Sequence, residues 1–100
     1  MRLRLRLTPR ALAEAKRIKT WWRKNRPKAP TLFESELEAT IERVLLDPKL
    51  GLPYEGTKLD VPVYRLLMPR TSHHLFYAVE ENVLHVLSVW GAVKERGPKL

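Results

Sequence analysis

The chain has 100 residues, no cysteine, and 19 Lys/Arg against 11 Asp/Glu, for a formal net charge of +8. That length supports one domain with one core, and the lack of cysteine excludes disulfides and thiolate metal sites and fits a reducing compartment. No apolar run approaches a membrane span, and the opening MRLRLRL lacks the continuous apolar stretch of a signal peptide, so a cytoplasmic protein without a membrane partner is expected.

Residues 2–7 alternate strictly, Leu3, Leu5 and Leu7 against Arg2, Arg4 and Arg6, which is the period of a half-buried strand. Thr8-Pro9 supplies a helix cap followed by proline at the first helical position. Leu12, Ala15, Ile18 and Trp22 then form one apolar stripe on a helix running to about Asn25. Residues 1–28 hold eleven Lys/Arg and a single acid, Glu14, a balance of +10, whereas residues 29–100 balance at −2. The excess charge therefore lies on the first strand and first helix, a surface that attracts phosphates or an acidic protein.

Pro27 and Pro30 separate this helix from the next. Thr31 and Glu34 have capping-box spacing, and Phe33, Leu37, Ile41, Val44 and Leu45 form the second apolar stripe. Glu34, Glu36, Glu38 and Glu42 are assigned to its solvent face, and Asp47-Pro48 ends it. Gly51, Pro53 and Gly56 mark a loop over 49–60. Three strands follow near 61–68, 73–79 and 83–90, with turns at 69–72 and Glu81-Asn82. The expected fold is a single α+β domain. An N-terminal strand and a helical hairpin precede three antiparallel strands, with the helices packed on one face of a twisted sheet.

Those turns pair Met68 with His73, Arg65 with Phe76, Glu80 with Val83 and His74 with Val89. Strict alternation then puts Tyr64, Leu66, Met68, Leu75, Tyr77, Val79, Leu84, Val86 and Trp90 on the core face. The other face receives Arg65, Leu67, His74, Phe76, Ala78, His85, Leu87 and Val89. No evident element covers this second set, and a partly apolar open face is the mark of a binding surface. Phe76→Glu or Leu87→Glu is then expected to weaken a complex without unfolding the domain.

With a helical hairpin followed by YR…PRTSHHLFYAVEENVLHVLSVW, the chain resembles the RelE/ParE superfamily of type II toxins, small basic bacterial proteins encoded beside an antitoxin. The likeness runs through LTPRALAEAKRI, the DPKLGLPYEG loop, the YR strand, the HLFYAVEENVLHVLSVW hairpin and a short basic tail. It implies an acidic, partly disordered antitoxin, a hetero-oligomer formed with it, no cofactor, and DNA gyrase or ribosome-bound mRNA as target. RelE-like members cut mRNA with basic residues and a C-terminal tyrosine on the open sheet face. ParE-like members resemble them in fold, inhibit gyrase and lack that set. The nuclease pattern places its first lysine on Arg65, its second near Leu67, and the arginine opening the next strand on His74. Its later arginine falls near Ala92 and its tyrosine near Pro98. Two of five positions keep a suitable group, and the hairpin looks more like the ParE branch. The resemblance therefore favours a gyrase inhibitor. A metal-independent ribonuclease is the alternative, and a non-toxic nucleic-acid-binding module the third reading.

The candidate residues follow from these two readings. For RNA cleavage, Arg65 would hold phosphate and His74 would act as base or acid, with Arg70 in the adjoining turn; the plainer role of Arg65 and His74 is contact with the antitoxin, and that of Arg70 a solvated turn. Partner binding is assigned to Arg65, Leu67, His74, Phe76, Leu87 and Val89 on the open face, with Arg17, Trp21 and Arg23 on the first helix. Arg70, Lys94 and Arg96 are assigned to the target. His73 and His74 are adjacent on a strand, point to opposite faces and so cannot share an ion; no metal site is expected.

Overall fold

The computed structural model describes residues 3–92 and 97–100. Its elements are β1 (Arg4–Leu7), α1 (Pro9–Asn25), α2 (Leu32–Leu46), β2 (Leu52–Pro53), β3 (Tyr64–Met68), β4 (His73–Glu80) and β5 (Val83–Gly91). The strands form one five-stranded sheet in the order β1-β5-β4-β3-β2, antiparallel except for the β1–β5 pair. Two helices on a mostly antiparallel sheet is the expected α+β arrangement. Leu52–Pro53, inside the expected loop, adds a short edge strand against Tyr64 and Arg65.

Local chemistry accounts for the ends of these elements. The Thr8 hydroxyl accepts the Ala11 N–H at 3.1 Å and donates to the Leu87 carbonyl at 3.2 Å, so one side chain caps α1 and ties it to the sheet. Thr31 makes no corresponding side-chain bond. Glu34 is drawn instead to Arg23 at 2.9 Å across the hairpin, so the expected capping box does not form. Glu81 and Asn82 both have φ near +60°, the two-residue turn whose twist matches antiparallel strands.

The core lies between the helices and one sheet face. Phe33, Val44 and Leu45 of α2 and Ala11 of α1 pack with Met68, Leu75, Tyr77, Leu84, Val86 and Val89. On α1 the buried row runs through Ala11 and Glu14, backed by Ala15, Ile18 and Trp22. Leu12, expected in that row, is instead exposed at the rim. Leu3 and Leu7 pack on the core, but Leu5 between them is nearly half exposed at the sheet edge.

Two differences from the sequence reading reshape the sheet. First, a β-bulge lies in β5. Phe76 pairs with Ser88 while Tyr77 pairs with Val86, which leaves Leu87 unpaired in the ladder. Beyond it the phase changes, so His74 faces Trp90 rather than Val89. Val89 joins the core and Trp90 leaves it, the reverse of their expected sides.

Second, the helix-free face is covered at its centre. Tyr54 meets Phe76 edge-to-face at 4.7 Å, and its hydroxyl donates to the Pro98 carbonyl at 3.0 Å. Pro98 is fully buried, the Leu100 carbonyl accepts the Lys58 N–H at 2.8 Å, and the Lys99 carbonyl accepts from Arg10. Tyr54, tied to the 97–100 tail, thus covers Phe76, which is 1% exposed, and Ala78 on the same face is 2% exposed.

Candidate functional site

What remains open beside that cover is a patch at the turn end of the sheet. β3 and β4 pair Arg65 with Phe76 and Leu67 with His74, and His74 is followed across the sheet by Trp90. Arg65 is exposed, Leu67 is 47% exposed, and His74 and Trp90 are half-buried. The His74 ring lies 6.0 Å from Phe76, edge-on. Partial burial, reinforced by the positive charge of Arg65, lowers its pKa from the ordinary 6.5. At neutral pH His74 is therefore an uncharged imidazole beside one guanidinium. Such a pair can hold an anion and accept a proton, and the Arg10 guanidinium lies 5.7 Å from the Trp90 ring beside it.

The lowered pKa has a consequence for stability. In the unfolded chain His74 titrates near 6.5, and in the fold it titrates lower, so between those values the unfolded state binds more protons. Stability is then complete above pH 6.5 and falls as pH drops through the window below it. Denaturant titrations from pH 8 to pH 5 should show His74→Gln losing less stability on acidification than the parent. Parallel curves would remove His74 from the explanation.

The other candidates fall in different places. Val89 is 2% exposed in the core and Phe76 lies under Tyr54, so neither presents a surface to a partner in this fold. Leu87 is the half-buried bulge residue, and its carbonyl is held by Thr8. Arg23 is paired with Glu34. Lys94 and Arg96 lie outside the described residues, as does Arg2. His73 turns to the helix side, 5.3 Å from Phe33, with Nδ1 2.8 Å from the Thr71 carbonyl oxygen, so the two histidines do lie on opposite faces. His85, on the open face, approaches Arg6 at 3.4 Å.

Arg17, Trp21 and Arg70 come together elsewhere. A cleft of about 630 Å³ between the C-terminal half of α1 and the 69–72 turn is bounded by these three with Trp22, Arg26 and His73. Its turn wall is held from below by Glu36. That carboxylate accepts the Arg70 N–H at 2.8 Å, the Thr71 N–H at 2.9 Å and the Thr71 hydroxyl at 2.6 Å. Glu36 is therefore buried and structural rather than part of a solvated face. Glu14 does the same for β5, taking the Ser88 hydroxyl at 2.7 Å and the Val89 N–H at 3.2 Å. Periodicity alone could not find either carboxylate. The one available signal was Glu14, the sole acid in a strongly basic segment.

A sequence-family model described as the ParE toxin of the type II toxin–antitoxin system parDE matches residues 5–94. Among solved structures, the chromosomal ParDE TA system from P. aeruginosa is similar at 17% identity, covering 89% of this chain and 95% of that one with a TM-score of 0.64. The YoeB dimer from Staphylococcus aureus is similar at 19% identity, 90% and 97% coverage and a TM-score of 0.57. The isolated E. coli RelE toxin is similar at 24% identity, 94% and 88% coverage and a TM-score of 0.56. At these identities the likeness to solved structures is one of fold. No curated protein sequence matches the chain.

Proposed function

The chain belongs to the ParE toxins of type II toxin–antitoxin systems, and we propose that it acts by binding DNA gyrase rather than by cutting RNA. The observation that carries this reading is Leu67. It stands directly across from His74 and two residues along the same strand from Arg65, nearly half exposed. Cleavage of RNA through its own 2′-hydroxyl needs a base, charge on the phosphate and an acid for the leaving group, held together. Here an apolar side chain stands beside both the Arg65 guanidinium and the neutral imidazole, where the nuclease pattern would carry a second cation. Pro98, near which the resemblance places the nuclease tyrosine, is buried, and its carbonyl is held by the Tyr54 hydroxyl. An apolar patch with a charged rim suits protein recognition, where a few desolvated anchors dominate affinity.

A toxin of this class has a cognate antitoxin. The basic exposed side of α1 favours an acidic one, and affinity for it should fall with rising salt.

The purified, antitoxin-free protein is expected to inhibit gyrase supercoiling and to leave ribosome-bound mRNA intact. Leu67→Glu should weaken the inhibition by about tenfold, as loss of a central apolar anchor does, while His74→Ala leaves it within about twofold, the range of a peripheral contact. Cleavage of mRNA by the parent that disappears in His74→Ala would replace this reading with the ribonuclease one, in which Arg65 holds phosphate and His74 is the base.

A further inference from the structure

We propose that the cleft between α1 and the 69–72 turn binds single-stranded nucleic acid, with bases against Trp21 and Trp22 and phosphates held by Arg17, Arg26 and Arg70. Its volume of about 630 Å³ is in the range of sites that enclose a nucleoside-sized ligand. Trp21 is 46% exposed although it is among the largest apolar side chains in the chain. Its ring meets that of Trp22 edge-on, with centroids 6.0 Å apart and planes at 72°, so the pair offers indole surface in two orientations. The Arg26 guanidinium lies 4.8 Å from the Trp21 centroid and 5.8 Å from that of Trp22. A flat, π-bonded cation already rests where a flat base would stack, and it can remain as a neighbour to the base and its phosphate.

Charge points the same way. Arg17 precedes Trp21 by one helical turn, and Arg70 faces it from a turn whose backbone is fixed by Glu36. Among the described residues the side-chain ion pairs of arginine are Arg10–Glu14 and Arg23–Glu34, and no carboxylate lines the cleft. Among the described residues the three cleft guanidiniums therefore have no carboxylate partner. An acidic peptide would meet the same charge, but a docked amphipathic helix needs aliphatic pockets at helical spacing. Here the apolar lining is indole apart from Ile18, and the remainder is guanidinium, hydroxyl and imidazole. Aromatic faces beside arginines form a base-stacking, phosphate-tracking surface. Bases paired within a duplex could not reach the indoles.

The site requires neither gyrase nor ribosome, so the test is separate from that of the proposed function. Fluorescence anisotropy of a labelled oligothymidylate of about a dozen residues, a single-strand site's span, would be followed with the full-length, antitoxin-free protein. The expected result is binding that falls about tenfold in Trp21→Ala and is largely kept in Trp21→Phe, because stacking carries it. Arg70→Ala should weaken binding and flatten its salt dependence. Equal affinity for a duplex of the same length, or for a glutamate-rich peptide, would overturn the proposal, as would Trp21→Ala binding as tightly as the parent. Loss of fold does not confuse the reading, because both substituted side chains are exposed and circular dichroism verifies each variant.

Discussion

Replacing Phe76 with glutamate is expected to unfold the domain rather than to disable an interface. The ring is 1% exposed and edge-on to Tyr54, which the 97–100 tail holds in place through the Pro98 carbonyl. Loss of such a buried ring costs about 4 kcal/mol, and an unpaired carboxylate in its place adds a desolvation penalty. A domain of this size has a total stability of about 5–10 kcal/mol, so little or nothing remains. Thermal denaturation followed by circular dichroism should show no cooperative transition for Phe76→Glu. Leu67→Glu, two strand positions from Arg65 on the same face but nearly half exposed, should melt close to the parent. A cooperative transition in Phe76→Glu within a few degrees of the parent would show that the loop and tail do not cover this face in solution.

Glu36→Ala is expected to cost about 3 kcal/mol, since two backbone N–H groups and one hydroxyl lose their acceptor and a buried donor left unpaired costs about 1–3 kcal/mol. Thr71 is 6% exposed, so water cannot readily replace the carboxylate there. Glu36→Gln keeps one acceptor oxygen in place and should lose less. Chemical denaturation would check both, through the midpoint at unchanged slope. A loss below about 1 kcal/mol for Glu36→Ala would mean that the turn finds other partners. The same substitution frees the backbone at Arg70, so it should also loosen the cleft wall.

The elements of the fold were legible because each rests on a local rule. Apolar spacing marked both helices, Thr8-Pro9 marked the start of α1, and Glu81-Asn82 marked the β4–β5 turn. The β3–β4 register followed from the 69–72 turn, and Met68 does pair with His73. Three features lay beyond such rules. A bulge obeys no period, so strict alternation sent Val89 and Trp90 to the wrong sides. A carboxylate on a helix looks the same whether it meets water or three donors, so Glu36 was assigned to solvent. The 97–100 tail has no pattern at all, and it covers Phe76 through bonds to Tyr54, Arg10 and Lys58 that join residues more than forty positions apart. Of the candidate residues, Arg65, Leu67 and His74 do form one open patch, while Arg17, Trp21 and Arg70 gather at a second place that sequence spacing did not suggest.

The bulge at Leu87 bears on how relatives of this protein should be compared. Up to Val86 the inward positions of β5 carry even numbers, and from Val89 they carry odd ones. A relative without the extra residue must exchange its large and small side chains at every later position to keep the same interior. Aligned without a gap, the two sequences would show four or so consecutive mismatches of size and polarity, a false sign of divergence. A single gap at 87 restores the correspondence. Placing that gap correctly decides whether Trp90 is compared with an interior residue or with a surface one.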